Sequence, residues 1–401
     1  MVLHPNQSKA VEVGAQYRLP TTSSIVSRST VKVLPSNGTS FTQNNQITLE
    51  IPSVGFLDNA ASYLSFKLSS TQDETLVIDN SQSFIERVRI STGRNEILCD
   101  IQNYNLLNGV LETLMTHNQY KDNAGDILEG TNTTVVTTAA VPAQRRCIQL
   151  LGGILDNATY FPLKYTNGLI VDIFLSSDAT CGAAGITVSD VAYVCEFLQM
   201  DAQYSMAFES QFLQGGIKYS FDTYTTSQTT VANTNVNKQI TENVRSLKTV
   251  YAVQQQAADP INVFRQARTK SVQWKYGSVY MPSQAVSCED GGAEAFKECM
   301  KSVNLSGDQS YDVDITKAQW SDDGNVANNG KKFIIGQNFE LSPSQSMSGA
   351  DATKKPLSLA LTYNASTGNN PNPATTAVTL TCFTHYDAIA VFGAQGTQII
   401  Y

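Results

Sequence analysis

A succession of strand-like patterns recurs 187 residues further along the chain. Leu64-Ser65-Phe66, within Ala61–Leu68, stands opposite Tyr251-Ala252-Val253, within Lys248–Gln255 (251 − 64 = 187). At the same offset Ile85–Ser91 faces Val272–Ser278, Asp172–Ser177 faces Leu359–Asn364, and Val191–Phe197 faces Val378–Thr384, so that Cys195 falls on Cys382. Few residues are identical across these pairs. What repeats is the order and spacing of the patterns, and a repeat this long is a duplicated domain, not a solenoid of short units.

Composition narrows what the duplicated unit is made of. The chain has 401 residues, enough for two domains that each bury a core. Charged residues make up only 15%, against about a quarter in ordinary globular domains. A chain poor in charge and rich in Ser, Thr, Asn and Gln suits sheets joined by polar loops better than helices laced with ion pairs. The net charge of −8 disfavours a protein that wraps nucleic acid, since counterion displacement needs basic stripes. Seven cysteines (Cys99, Cys147, Cys181, Cys195, Cys288, Cys299, Cys382) show no C-x-x-C spacing and several lie in apolar patterns. They read as small buried hydrophobes in a reducing compartment, not as a disulfide framework or a zinc site. The first residues, MVLHPNQSKAVEV, contain no apolar core of a secretory signal, and no run reaches the ~18 apolar residues of a spanning helix. Sequons at Asn6, Asn37, Asn132, Asn157, Asn304 and Asn364 therefore read as a by-product of an Asn/Thr-rich chain.

Residues 1–40 are polar, carry Pro5, Pro20 and Pro35, show no sustained period, and read as an arm that docks on something else. Alternation begins at Gln46–Pro52, where Ile47, Leu49 and Ile51 share one face. Tyr63–Leu68 follows, then Phe84–Ile90 and Glu96–Cys99 around the turn Ser91–Asn95, with Gly93 available for a positive φ. In Ile101–Met115 the period lengthens: Leu107, Val110, Leu111 and Leu114 predict an amphipathic helix. Gly291–Val303 is its counterpart, with Phe296, Cys299, Met300 and Val303. Lys121–Gln144 is a polar insertion expected to form a surface tower or mobile loop. Strands resume at Cys147–Leu151, Leu169–Leu175 and Val191–Met200. Asp201–Gln214, closed by Gly215-Gly216, reads as a short connecting helix. The second half offers Ile217–Tyr224, Ser246–Val253, Ser271–Tyr280, the helix, Phe333–Phe339, Leu357–Tyr363, Val378–Tyr386 and Ile389–Phe392. Polar insertions lie at Ser306–Lys332, Leu341–Pro356 and Ser366–Ala374. The expected architecture is all-β: two tandem eight-stranded jelly-roll sandwiches, each with an embedded short helix and long surface loops. The expected division is an arm over 1–40, a first roll over 41–205, a connector over 206–216 and a second roll over 217–401.

Catalytic vocabulary is sparse. His4, His117 and His385 are far apart, and no G-x-S-x-G elbow accompanies them; His385 lies in a strand pattern and reads as structural. Gly324–Lys332 departs from a phosphate loop in both spacing and final residue. Asp312, Asp314, Asp322 and Asp323 fit no EF-hand and read as a solvated acidic loop. Trp274 reads as core, and the doublets Arg145-Arg146, Lys331-Lys332 and Lys354-Lys355 as solvated loop charges. Two well-placed acids would suffice for glycoside hydrolysis, and sequence spacing is silent on such pairs. No catalytic, cofactor-binding or metal-ligating residue is assigned.

Ile51–Leu68 (IPSVGFLDNAASYLSFKL), Ser83–Asn105 (SFIERVRISTGRNEILCDIQNYN) and Val191–Phe208 (VAYVCEFLQMDAQYSMAF) resemble the first jelly roll of the double jelly-roll major capsid proteins. Gly216–Phe221 (GIKYSF) with Val244–Val253 (VRSLKTVYAV) resembles the opening of the second. The likeness spans most of residues 45–400 and is strongest to virophages and polinton-like viruses. It implies a non-enzymatic structural protein: a homotrimer of pseudo-hexagonal outline that tiles an icosahedral shell, with its loops outward. The implied partners are neighbouring capsomers, minor capsid, penton or cement proteins and a possible internal membrane, with no direct sequence-specific nucleic-acid contact and no cofactor. The implied location is the virion capsid, after synthesis in the host cell without a signal peptide. The competing reading is a carbohydrate-binding or carbohydrate-active tandem β-sandwich.

Overall fold

The computed structural model describes residues 24–70, 75–77, 80–130, 134–136, 141–177, 185–257, 259–305, 313, 315–321, 330–341, 347–364 and 372–401. His4, Cys181, Asn6, Asn132, the four aspartates 312, 314, 322 and 323 and most of Gly324–Lys332 lie outside them.

The first half contains strands β1 (Ile25–Val33), β2 (Gln46–Ile51), β3 (Tyr63–Ser70), β4 (Ile85–Thr92), β5 (Ile97–Gln102), β6 (Val141–Ile148), β7 (Leu169–Leu175) and β8 (Ile186–Met200). They pair antiparallel in two sheets, β1-β8-β3-β6 and β2-β7-β4-β5. The second half contains β9 (Ile217–Val231), β10 (Asn235–Ile240), β11 (Leu247–Gln255), β12 (Thr269–Tyr276), β13 (Val279–Ser287), β14 (Ile335–Asn338), β15 (Leu357–Tyr363) and β16 (Val378–Gly393). Its sheets are β9-β16-β11-β14 and β10-β15-β12-β13. Counted from the start of each half, both read 1-8-3-6 and 2-7-4-5. That winding is the jelly roll, reached twice by one chain. Each roll carries a helix between its fifth and sixth strands: α1 (Tyr104–Met115) in the first and α3 (Ala293–Ser302) in the second. Between the rolls runs α2 (Ala202–Gln214), whose N-cap Asp201 accepts a hydrogen bond from Tyr204 N–H.

Alternation explains why the sheets face each other as they do. β7 and β15 share one burial rhythm, every odd residue sealed and every even one half-exposed. Val171 sits opposite both Leu49 and Ile90, and Leu359 opposite Trp274, so inward residues of neighbouring strands form continuous layers. Each fully buried Val, Leu, Ile or Phe contributes roughly 1.5–3 kcal/mol. Trp274 is core, as expected, edge-on to Phe339.

Several expectations are corrected. The segment read as an arm contributes a strand: β1 lies along β8, with Val31 opposite Cys195. Its sequence hid this because seven of its nine residues are exposed, so no buried face imposes a period. Ser271–Tyr280, expected as one strand, is instead the hairpin of β12 and β13, turning at Gly277 and Ser278. β10 and the final strand Gly396–Ile400 were not anticipated. Val378–Tyr386 and Ile389–Phe392 are one continuous strand, β16. The first helix starts at Tyr104, since Ile101 and Gln102 still belong to β5. In the turn after β4, the positive φ falls on Asn95. Gly93 is needed for another reason: a Cβ there would lie 1.9 Å from the carbonyl oxygen of Asn167. Arg145 and Arg146 lie in β6, where Arg145 pairs with Asp190 and Arg146 donates to Gln144. In the insertion after α1, short helices cover Asn118–Asp122 and Ala124–Leu128, and Thr134–Val136 pairs with Thr75–Val77.

The constant offset also needs correcting. At 187 the eighth strands keep their inward phase (Cys195 with Cys382), but the third strands do not: Leu64 shares the face of Tyr193 and Cys195, whereas Cys382 lies opposite Ala252 and Tyr251 turns to the other face. The fourth strands match in burial at 184 (269 − 85) and the seventh at 188 (357 − 169). A slip of one residue turns every side chain to the other face. The ungapped pairing of Asp172–Ser177 with Leu359–Asn364 therefore joined inward to outward positions.

Candidate functional site

The rolls meet along a seam built mainly from β5 and β9. Thr226 Oγ1 donates to the Gln102 carbonyl at 2.7 Å, and Gln228 Nε2 to Asn103 Oδ1 at 3.3 Å. Cys99 Sγ and Thr223 Oγ1 lie 3.1 Å apart. Asn59 Nδ2 reaches the Tyr219 hydroxyl at 3.1 Å, and that hydroxyl donates to the Thr159 carbonyl at 3.1 Å. Below this polar stitching, Phe161 packs edge-on against Tyr219 at 5.2 Å and Phe392 at 5.5 Å. All three rings are buried. Such aromatic pairs add about 0.5–1.5 kcal/mol beyond their area. Gly152, with φ +79°, lets the chain pass: a Cβ would sit 2.6 Å from Ile101 Cδ1 and 3.3 Å from the Tyr224 ring.

At the seam the rolls leave a polar cleft of about 530 Å³, lined by both halves. Its carboxylates come from Glu112, Glu129 and Asp156 on one side and Asp222 and Glu340 on the other, with Lys248 and His385 as the basic groups. Each acid is engaged. Glu129 accepts from Asn80 Nδ2 at 2.8 Å and the Tyr120 hydroxyl at 3.0 Å, and Lys121 Nζ stands 3.5 Å from Glu112. Glu340 accepts from the Ser348 hydroxyl at 2.6 Å, and Asp156 from Gly152 N–H at 2.8 Å. Asp222 Oδ2 lies 2.6 Å from His385 Nε2, and the imidazole stacks on Tyr224 with centroids 4.4 Å apart. Burial pushes the Asp156 carboxyl up to about 6, with Asp222 adding to it and the Gly152 N–H opposing. Burial also pushes Asp222 upward, but the bond from His385 and the charges of His385 and Lys248 outweigh it and hold that carboxyl below its ordinary range.

This geometry does not make a nucleophile. His385 is held by Asp222 and by the ring of Tyr224, while the nearby Ser246 hydroxyl donates instead to Asp387 at 2.7 Å. A hydrolytic triad needs the imidazole bonded to the attacking hydroxyl. Cys99, Cys195, Cys288, Cys299 and Cys382 are buried, which pushes each thiol up to about 12 and keeps it protonated. His117 occupies the N-cap position of the short helix Asn118–Asp122 without a side-chain capping bond, remote in sequence from His385. Among the described residues no cluster of three or more His, Cys, Asp or Glu is arranged to hold a metal ion. Three sequon amides already donate internally: Asn37 to Gln46 O, Asn157 to Ser220 O and Asn364 to Glu289. Sequence reasoning passed over Asp156, Asp222 and Lys248 because each is an isolated charge until the seam joins them.

No protein-family model matches the sequence, and no curated protein does. Solved structures match over nearly the whole chain. The chain is similar to the subunit in the quasi-atomic model of the PBCV-1 virus capsid, with a TM-score of 0.66 and 11% identity over 96% of this chain and 99% of that one. It is similar to a chain of the Sputnik virophage structure (TM-score 0.58, 12% identity, 100% and 92% covered). It is also similar to the mavirus major capsid protein (TM-score 0.55, 11% identity, 100% and 96% covered). At such identities the likeness lies in the fold, which is the double jelly roll of those capsid proteins.

Proposed function

We propose that this chain is a major capsid protein, a structural subunit without enzymatic activity whose homotrimers tile an icosahedral shell. The observation that carries the reading is the doubled winding: two rolls of identical strand order, joined by an internal seam, over essentially the full chain. Three such chains place six similar lobes around a threefold axis, an outline that fills a hexagonal lattice. Head-to-tail contacts of this kind close into a ring only when the rotation closes, and an obligate ring of this type buries more than ~2,000 Å². The full-length likeness to the virophage and PBCV-1 subunits supports the same reading. In this view the two rolls are the two domains and α2 is their connector, with β1 part of the first roll. Minor shell proteins, neighbouring capsomers and an underlying membrane are the expected partners. Among the described residues no helix is long and apolar enough to cross a bilayer. Nothing in the seam favours a carbohydrate enzyme.

Light scattering on the purified chain tests the reading. A threefold mass and a hexagonal outline in negative stain are expected; a stable monomer at micromolar concentration in neutral buffer would sink it.

A further inference from the structure

We propose that β1 of one chain docks on β13 of a second copy, repeating between chains the seam that β9 and β5 form within one. The inference rests on the trimer reading above and names the surface that reading leaves open.

The inward cysteines of the eighth strands, Cys195 and Cys382, set the equivalence. Val31 lies opposite Cys195 and Ser227 opposite Cys382, so β1 and β9 occupy the same place in their rolls at an offset of 196 (227 − 31). The three β9 residues that bond to the first roll's fifth strand and its end are Thr223, Thr226 and Gln228. Their β1 counterparts are Ser27, Thr30 and Lys32, so two hydroxyls recur at the two hydroxyl positions; within one chain they donate to Gln199 and Glu196 and would turn to the second copy on docking. All three are exposed, on a strand whose outer edge has no partner in its sheet among the described residues. An open edge of this length is normally covered or blunted.

The other half of the contact is found the same way. Arg87 pairs with Gln102, and Ser271 with Ser287, at the 184 offset of the fourth strands (271 − 87). The carbonyl that receives Thr226 within the chain therefore has its counterpart at Ser287, which is exposed on β13. Beyond it lie Glu289 and Asp290, both exposed, where β1 would bring Lys32. The charges complement each other. The seam would not be an exact copy: β13 carries a four-residue bulge over 282–285, between Met281 opposite Trp274 and Val286 opposite Val272, that β5 lacks. Three such contacts use both faces of every chain, which is the condition for a closed ring.

The full chain and five variants are compared by light scattering and native mass spectrometry across a dilution series, with circular dichroism to check folding. Thr30→Trp and Ser287→Trp are each expected to leave monomers at concentrations where the parent is trimeric. Lys32→Glu and Glu289→Lys are each expected to raise the concentration of half-dissociation about tenfold, and the double swap Lys32→Glu/Glu289→Lys to restore it. Should a Trp variant misfold, the charge swap reads the same contact from exposed positions. A trimeric parent with Trp variants that fold and remain trimeric, or a double swap no tighter than its singles, would overturn the contact and leave the trimer standing. A monomeric parent would overturn the trimer itself.

Discussion

Asp156 is the side chain whose charge the seam tolerates least. Its carboxyl titrates near 6 in the folded chain, above the unfolded value of about 4, so the folded state binds that proton more tightly. Its contribution to stability is therefore full below about pH 4 and is lost as pH rises through 6, by an amount on the order of 3 kcal/mol. Asp222, His385 and the Tyr104, Tyr193, Tyr219 and Tyr224 hydroxyls surround it. Asp222 runs the other way: its lowered carboxyl stabilises the fold above its unfolded value, and that support is lost as pH falls through the folded one. Urea midpoints of Asp156→Asn between pH 4 and 7.5 are expected to decline less than those of the parent. An unchanged slope would remove Asp156 from the account. Trp274→Ala is expected to cost about 3–5 kcal/mol by the same measurement. Trp274 was legible as core because an apolar strand pattern surrounds it. Asp156 and Asp222 were not, because 66 residues separate them and only the folded seam gives either a neighbour.

At the scale of elements, legibility followed burial. β7 and β15 were read to the residue because one face is sealed and the other half-wet, which imposes period two on the sequence. β1 escaped notice because it is wet on both faces. β16 was split in two at Asp387, a charge that reads as a strand break; in the fold it is buried, accepting from Ser246 and facing Lys248 Nζ at 3.4 Å. α2 was found by its aromatic spacing, and Phe208 and Phe212 do pack, on Phe56 and Tyr165. Its cap is a local device. Asp201→Ala should cost about 1 kcal/mol, seen as a matching fall in the denaturation midpoint without change in m-value. A change in m-value would mean the helix end also shapes the packing of the rolls.

Over the whole molecule, the aromatic cluster of Phe161, Tyr219 and Phe392 makes the two rolls share one apolar contact. They are expected to unfold in a single calorimetric transition, and Phe161→Ala to split it into two. Two resolved transitions in the parent would show the seam to be too weak for that role. The duplication was legible in the sequence as an order of patterns, whereas the seam was not, since it joins β5 to β9 through polar residues that carry no period.

The winding also sets a clock. Among the described residues β1 is the first strand in chain order, yet its sheet partner is β8, and Ile25 pairs with Met200, 175 residues later (200 − 25). At about 5–20 residues per second, the strand waits on the order of ten to thirty seconds for the partner that gives it a place. During that interval neighbouring chains on a polysome carry the same unpaired segment, so slower elongation lengthens the time in which copies can pair with one another instead.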